Sequence, residues 1–515
     1  MADTVKVKAA NPRSIQFFGS KNGGGLVNAY NYTDIPSKLL FWDIYYVFYY
    51  AWSIPLVIQP LKPRDGNHFD ELAWGWRNVY CVVVHAILIV MQLGFLLSIP
   101  VAFFIPPWMT AVFVAAFWAV TLLLCRTLNG VKMTHMSNSK YTAGKESHDH
   151  EQWLYINGIS IGEHWLKSNL DRLALTFGRP VLGVHNSTYG IVFDLLECIV
   201  QRTFGYATDD IRRCYVEVKK ALSDETKTKV IFILHSQGGI EGGVIIDWLL
   251  QELPQNLLSK LEVYTFGNAA NHFNNPFRSS AAQAEADRKP LAAAVDAALS
   301  STASAPAAAP LASADGKKTQ KETTPPPTAK NGTPRSTHPP TPPTPRSPDM
   351  PMTPPASPPG ALPGREASSR DPAALSGNAI GHIEHYCHST DFVALWGVLH
   401  FKAASTADRN APVFAGRAFS RAGPWGQEGH LLNQHYLNAM FPLERKGGGG
   451  KGELVGCAET NAFMESEVTV GAQEGDDEPG PPGVLGVEGS TVTRKVKELS
   501  RLWQYRNGRS PGVKA

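Results

Sequence analysis

V-I-F-I-L-H-S-Q-G-G, residues 230–239, is the stretch that decides the fold class of this chain. Its run of apolar, partly β-branched residues predicts a buried strand, and the glycines that follow Ser236 predict a tight turn into a helix. A serine on such a turn stands clear of the sheet, with neighbouring N–H groups aimed at a developing oxyanion, which is what a weak nucleophile needs. Ser236 is therefore a candidate nucleophile.

Strands and helices alternate on both sides of this stretch. The apolar spacing predicts strands at 153–156, 181–184, 263–266 and 380–388, and helices at 166–177, 191–200, 209–222 and 238–253. This alternation is typical of an α/β domain with a mainly parallel sheet that helices cover on both faces.

A charge-free segment lies between Arg77 and Arg126 and contains two apolar runs, 79–98 and 108–125, separated by prolines. Each run has about the length that a helix needs to cross a bilayer. We expect a transmembrane or membrane-embedded helical hairpin at 77–126, which either crosses the membrane or dips into a single leaflet. The alternative is a pair of core helices in a soluble domain.

Basic residues flank the hairpin on both sides, so the positive-inside rule predicts that both ends and the rest of the chain face the cytosol. Upstream, eight aromatic residues occur within 41–52, and rings of this kind settle at the headgroup level. A third span around Asp43 is an open alternative. The expected location is an internal membrane, such as that of the endoplasmic reticulum or a lipid droplet.

The overall composition excludes one class of function and one compartment. A net charge of +3 without a clustered basic face gives no reason to expect a nucleic-acid partner. The six cysteines form no C-x-x-C pair, which favours free thiols in a reducing compartment over a secreted disulfide framework.

An Ala-, Ser- and Pro-rich insert occupies 277–376 and is expected to be disordered. Seven Ser/Thr-Pro dipeptides within it favour either a plain spacer or a segment recognised by a kinase or a proline-motif-binding partner. The expected organisation is an N-terminal region with an aromatic interfacial segment (1–76), the hairpin (77–126), two parts of the α/β domain (151–276 and 377–443) around the insert, and a largely disordered tail (444–515). The end of that tail is either a basic amphipathic helix on the membrane or a solvated helix.

The residues around Ser236 resemble the nucleophile elbow of the α/β-hydrolase superfamily, in particular its membrane-associated lipases and serine esterases. Gly238 matches the second glycine of G-x-S-x-G, whereas Leu234 stands at the first. The resemblance implies that Ser236 is the nucleophile and that the oxyanion hole is formed by the N–H of Gln237 and that of Ile159 or Gly158. In W-L-Y-I-N-G-I (153–159), Asn157 replaces the histidine that is frequent in the family.

The family's chain order places an acid and then a histidine after the serine. Asp391 lies just past the predicted strand and is the preferred acid, although it also fits a helix N-cap; Glu384, inside the strand, is the weaker candidate. In G-H-L-L-N-Q-H-Y-L (429–437), His430 is the preferred base and His435 the alternative.

The histidines at 382, 385 and 388 do not predict a metal site, because strand alternation sends His385 to the opposite face. No metal or organic cofactor is expected. The sequence thus predicts a membrane-anchored serine hydrolase that cleaves carboxylic esters, most plausibly lipid acyl esters; an amidase or thioesterase would use the same residues. The alternative is a non-catalytic hydrolase-fold protein that acts as a membrane scaffold through its insert.

Overall fold

The computed structural model describes residues 15–20, 30–62, 66–277, 378–407, 411–423, 425–446, 452–471 and 491–512. Apart from Phe277, the insert predicted for 277–376 lies outside the described residues. The disorder and the partners predicted for it therefore remain predictions.

An eight-stranded sheet forms the centre of the protein, in the order β1-β8-β7-β6-β5-β3-β4-β2. All neighbouring pairs from β4 to β8 are parallel, and the two edge strands, β1 and β2, are antiparallel to their neighbours. The strands are β1 (Ile15–Phe18), β2 (Thr134–Met136), β3 (Glu151–Ile156), β4 (Val181–Val184), β5 (Lys229–His235), β6 (Leu261–Phe266), β7 (His382–His388) and β8 (Arg417–Arg421).

Helices cover both faces of this sheet, as the alternation predicts. The principal ones are α1 (Pro36–Tyr49), α2 (Trp76–Ser98), α3 (Pro107–Asn129), α4 (Glu163–Phe177), α5 (Ile191–Phe204), α6 (Asp209–Ser223), α7 (Gly238–Glu252), α8 (Gln255–Leu258), α9 (Phe392–Trp396) and α10 (Val398–Ala407). Alternate strand residues enter opposite cores: Phe232 packs among side chains from α6 and α7, and Ile233 among side chains from α4. The α/β class and the mainly parallel sheet are confirmed.

The direction of chain progression reverses between β3 and β5. From β3 the chain moves outward to β4 and then returns to the other side of β3 as β5, before continuing to β6. In open α/β sheets such a reversal leaves a crevice at the carboxyl ends of the two strands, which is where ligands bind. Here those ends lead into Asn157 and Ser236.

The apolar segment forms two helices, α2 and α3, joined by a turn at 99–106. Both are long and apolar enough to cross a membrane. The third span considered around Asp43 is wrong, because α1 has only 14 residues and its Asp43 is buried in an ion pair with Arg202 of α5 (3.1 Å).

Two of the expected domain boundaries need correction. The N-terminal region contributes β1 to the sheet, and residues after the hairpin contribute β2, so the α/β fold begins well before residue 151. The tail is ordered in its described parts. The short helix α11 (Asn438–Met440) and the start of β9 (Leu443–Arg445) come just before the tail. The tail itself forms β10 (Leu454–Cys457), β11 (Glu467–Gly471), β12 (Thr491–Lys495) and the short helices α12 (Ala462–Glu465), α13 (Val496–Leu499) and α14 (Arg501–Gln504).

Buried polar contacts fix the tail against the sheet. Arg501 Nε and Nη2 donate to Glu262 Oε1 on β6 (3.0 and 2.8 Å), and the N–H of Arg501 donates to Glu384 on β7 (2.6 Å). Trp503 and Tyr505 are buried beside them. Both alternatives for the end of the tail, a helix on the membrane surface and a solvated helix, are therefore wrong, because Trp503 packs on Phe441 inside the protein. Glu384, the weaker acid candidate, is used by this contact.

Replacing Arg501 tests whether the tail is part of the core. Burial raises the pKa of Glu262, but the charge of Arg501 outweighs burial and holds that pKa at about 2. Arg501→Met leaves a buried carboxylate without its counter-charge, so we expect a loss of about 3–5 kcal/mol in the free energy of unfolding near neutral pH. Because the native pKa of Glu262 is depressed, this difference should shrink as the pH falls from 4.5 toward 2.

Urea unfolding of wild type and variant at several pH values measures the effect. Arg213→Met, which removes an exposed i,i+4 pair with Asp209, is the matched control and should change the unfolding free energy by less than about 0.5 kcal/mol. An Arg501 variant as stable as this control would contradict an integral role for the tail.

Candidate active site

Ser236 occupies a strained turn between β5 and α7. Its φ is 60°, a left-handed value that a side chain other than glycine's rarely adopts. Three main-chain hydrogen bonds hold it there: its N–H donates to Phe266 O (3.0 Å), and its carbonyl accepts from Gly239 N (2.9 Å) and Ala269 N (3.1 Å). Strain that the surroundings enforce in this way is typical of functional sites.

Leu234 departs from the glycine of the family motif, and the structure explains how it fits. Its side chain lies directly against Gly242 of α7, where a Cβ would fall 2.3 Å from Leu234 Cδ1. The space that the motif glycine would leave at the strand is supplied instead by a glycine on the helix. Leu234 therefore does not prevent the sharp turn.

Asp391 and His430 form a buried pair. His430 Nδ1 donates to Asp391 Oδ2 at 2.8 Å. The same oxygen accepts the Tyr436 hydroxyl (2.7 Å), and Oδ1 accepts the N–H of Val393 (3.0 Å), so Asp391 is also the N-cap of α9. Burial would raise the pKa of Asp391, but the His430 ring and these hydrogen bonds outweigh it and hold the pKa below its usual range.

The pair lies beside Ser236. Gly267 directly follows Phe266, the residue that accepts the Ser236 N–H, and a Cβ on Gly267 would fall 2.8 Å from His430 Cε1 and 2.9 Å from Asp391 Oδ2. His235, the neighbour of Ser236, donates from Nε2 to His430 O (2.9 Å), and the two rings stack at 4.7 Å. The positive φ of Gly267 (53°) leaves the pair the space that it occupies.

The second ring nitrogen of His430, Nε2, is the atom that could accept a proton. Within the part of the chain that the structure describes, His430 Nε2 is buried and has no hydrogen-bond partner. Since Nδ1 donates to Asp391, the neutral ring carries its lone pair on Nε2, the state that accepts a proton. The arrangement is that of a histidine base oriented by a carboxylate.

His435, the alternative base, does not meet the acid. Its Nδ1 accepts the N–H of Leu431 (3.0 Å), and its Nε2 faces Pro60 O (3.2 Å). Burial lowers the pKa of His435 to about 4. His435 therefore has a structural role in residues 429–437, which we call the His430 loop.

The loop after β3 places a second group of N–H donors near Ser236. Gly158 lies against the serine, since a Cβ there would fall 2.3 Å from Ser236 Cβ. Among the described residues, the N–H groups of Gly158, Ile159 and Gln237 donate to no protein acceptor. Asn157 fixes the loop: its Nδ2 donates to Gly158 O (2.9 Å) and Asn186 O (2.8 Å). The residue that replaces the family's histidine thus shapes the loop.

The three histidines of β7 have separate partners. His382 pairs with Glu384 (2.8 Å), His385 Nε2 donates to Ala415 O (2.9 Å), and His388 Nδ1 donates to Gly429 O (2.9 Å). In the described part of the chain, metal-binding geometry occurs at His148, His150 and Glu151. The Glu151 carboxylate, however, is already paired with Arg179 and Trp153, so we assign no metal role.

Sequence patterns missed the segment that holds the His430 loop. The N–H of His430 donates to Val57 O (2.7 Å), and the two Glu71 carboxylate oxygens accept the N–H groups of Asn433 and Gln434 (both 3.0 Å). These partners lie more than 350 residues away along the chain. Tyr436 was missed as well, because nothing in the local pattern shows that its hydroxyl reaches Asp391, 45 residues earlier in the chain. For Gly267 a signal was present, since a glycine directly after a predicted strand indicates a tight turn.

Comparison of the chain with protein-family models, curated proteins and solved structures finds no significant match. The functional interpretation therefore depends on the geometry described above.

Replacing Tyr436 tests the support of the acid. Tyr436→Phe removes a hydrogen bond to a buried carboxylate, so we expect a loss of about 1.5–3 kcal/mol in unfolding free energy at neutral pH. The pKa of Asp391 is held below its usual range, so the loss should shrink only in acid, where protonation of Asp391 removes the charge that the hydroxyl stabilises. Urea unfolding measures it, with Tyr215→Phe, whose hydroxyl bonds the exposed Glu252, as the matched control. Equal stability of the two variants would contradict the role of Tyr436.

Proposed function

We propose that this chain is a membrane-bound serine hydrolase of the α/β-hydrolase fold that cleaves carboxylic esters, with lipid acyl esters as its substrate class. The observation that carries the proposal is the buried Asp391–His430 pair, which packs around Gly267 beside the Ser236 turn and whose Nε2 has no hydrogen-bond partner among the described residues. The strained φ of Ser236 and the unpaired N–H groups at Gln237 and Ile159 add support.

The proposed reaction follows from these atoms. Ser236 Oγ attacks the acyl carbon while His430 Nε2 takes the hydroxyl proton, and Asp391 stabilises the imidazolium that forms. The N–H groups of Gln237 and of Ile159 or Gly158 bind the oxyanion of the tetrahedral intermediate. His430 then protonates the leaving alcohol, and a water molecule, deprotonated by the same nitrogen, hydrolyses the acyl-enzyme. In this proposal the reaction needs neither a metal nor an organic cofactor.

The lipid assignment and the location rest on the apolar helices. A hydrolase held beside a bilayer meets acyl esters at high local concentration. Basic residues on both sides of the hairpin favour a cytosolic α/β domain on an internal membrane, such as the endoplasmic reticulum or a lipid-droplet surface. Ser236 and His430 are 3% and 6% exposed, so substrate entry requires some opening of the residues around them.

Labelling with a fluorophosphonate probe tests the proposal, because such a probe reports an activated serine without a known substrate. We expect the detergent-solubilised wild type to be labelled and Ser236→Ala not to be labelled. His430→Ala should slow labelling by at least about a hundredfold, since it removes the general base.

Two controls separate chemistry from folding. Ser259→Ala changes a half-buried serine far along the chain from the turn of Ser236, whose hydroxyl bonds Asn256 O, and it should label like the wild type. His435→Gln should stay within about tenfold of the wild-type rate, because His435 does not touch Asp391. A folded wild type that resists labelling would remove the hydrolase proposal and favour the non-catalytic scaffold, whose candidate partners are a kinase or a proline-motif-binding protein at the insert.

A further inference from the structure

Four helices of this protein have an inverted distribution of polar residues. An ordinary surface helix buries its apolar stripe and exposes its charges. In α5 the three exposed positions are Leu196, Val200 and Phe204, whereas Asp194 and Arg202 are buried. This is the pattern of a helix whose outer face contacts lipid.

The hairpin follows the same pattern. Every exposed side chain of α2, α3 and their turn between Arg77 and Arg126 is apolar or aromatic. The polar side chains His85, Gln92 and Thr121 are buried on the inner face. In α1, likewise, Asp43 is buried and the exposed positions after the first turn are Phe41, Ile44, Tyr45, Phe48 and Tyr49.

These four helices are neighbours, so their outer sides form one surface, which we call the apolar face. The Asp43–Arg202 pair joins α1 to α5. Phe193 of α5 contacts Phe95 of α2 and Phe117 of α3, with ring centroids 6.2 and 6.0 Å apart. A continuous apolar surface on four helices is far larger than the patches that soluble monomers expose.

The contacts of α2 with the α/β domain bear on how the apolar face is oriented relative to a bilayer. At one end, Asn78 Oδ1 accepts from Trp165 Nε1 on α4 (2.9 Å). At the other end, Gln92 bonds the main chain of Tyr189 and Val192, and Phe95 packs on Phe193. The α/β domain therefore contacts α2 from Asn78 to Phe95, which is about 25 Å of helix at 1.5 Å per residue.

A contact of that length is incompatible with a spanning hairpin. If α2 crossed the hydrocarbon core, which is about 30 Å thick, the α/β domain would have to follow it through most of the membrane. The polar main chain of the loop before α5 would then lie deep in lipid, where unsatisfied polar groups are costly. With α2 lying along the membrane, only the apolar face enters the lipid.

We propose that the apolar face embeds in a single leaflet of a phospholipid bilayer, so that the protein is monotopic and its hairpin does not cross the membrane. This inference does not depend on the hydrolase proposal. Two contacts connect the apolar face to the edge of the sheet that carries Ser236 and His430. Asn129 of α3 bonds the main chain of Thr188 in the loop after β4, and Val57, which follows α1 along the chain, accepts the N–H of His430. The proposed active site therefore lies at the membrane surface in this arrangement.

Single introduced cysteines carrying a bimane fluorophore test the proposal, because the six native cysteines are buried. Full-length protein is added to preformed vesicles of phosphatidylcholine and phosphatidylserine that contain doxyl-labelled lipids. Phe48→Cys, Phe104→Cys and Phe204→Cys report on α1, the hairpin turn and α5; wild type gives the background. Val216→Cys is the matched control. Val216 is also an exposed apolar residue, but it lies on α6 among charged residues and outside the apolar face.

We expect lipid quenching at positions 48, 104 and 204 and none at 216. In unlabelled Phe104→Cys, an impermeant maleimide should not react from outside, nor from inside after it is sealed within the vesicles. Reaction from the inside would establish a spanning hairpin and overturn the proposal. Unquenched probes at 48 and 204 would also overturn it, because the face would then be open to water or covered by a second copy.

Fluorophosphonate labelling of the same vesicles keeps the two proposals separate. Quenched probes without labelling would retain the monotopic arrangement and remove the hydrolase. Fluorophosphonate labelling together with maleimide reaction at position 104 from inside the vesicles would retain the hydrolase and remove the monotopic arrangement.

Discussion

The geometry of the proposed active site depends on one buried hydrogen bond, the 2.8 Å contact between His430 Nδ1 and Asp391 Oδ2. A buried carboxylate is costly unless its oxygens are satisfied, and here Tyr436 and the N–H of Val393 complete its shell. That requirement fixes the orientation of the imidazole, because His430 can satisfy Asp391 only through Nδ1. Nε2 is then left without a hydrogen-bond partner among the described residues.

Segments from distant parts of the chain converge to hold this pair. Val57 and Glu71 bind the main chain around His430. The last residue of β6, Phe266, supplies the carbonyl that accepts the Ser236 N–H, and Gly267 follows it directly. The N-terminal region thus holds the proposed active site in place and also contains the aromatic helix α1. The proposed membrane surface and the proposed active site are therefore connected through the same part of the chain, which carries both α1 and Val57.

The sequence was informative wherever a local pattern reflects a local constraint. The strand–Ser–Gly stretch, the apolar hairpin and the alternation of strands and helices each predict a feature that the structure contains. Of the proposed triad, the pairing of Asp391 with His430 and its location near Ser236 also agree with the sequence-based expectation. Chain order alone left His430 and His435 open, and only the contacts of each ring distinguish them.

What could not be predicted depends on polar contacts between residues far apart in sequence. The tail was expected to be largely disordered. In its described part, however, Arg501 bonds Glu262 of β6 and so attaches the short helices around it to the sheet. The same holds for α2, whose length and apolarity predict a membrane helix but do not show that Gln92 ties it to the α/β domain. The composition of a segment indicates how much apolar surface it can bury. It does not show which distant residue, such as Glu262 for Arg501, will hold the segment in place.

The most direct test of the central claim is to trap the acyl-enzyme. Protein in vesicles is mixed with a long-chain p-nitrophenyl ester, quenched in acid within the first turnover, and mapped by peptide mass spectrometry. We expect one acyl group per protein, on Ser236, together with a burst of p-nitrophenol. An unacylated Ser236 in folded protein, or an acyl group on another residue, would contradict it.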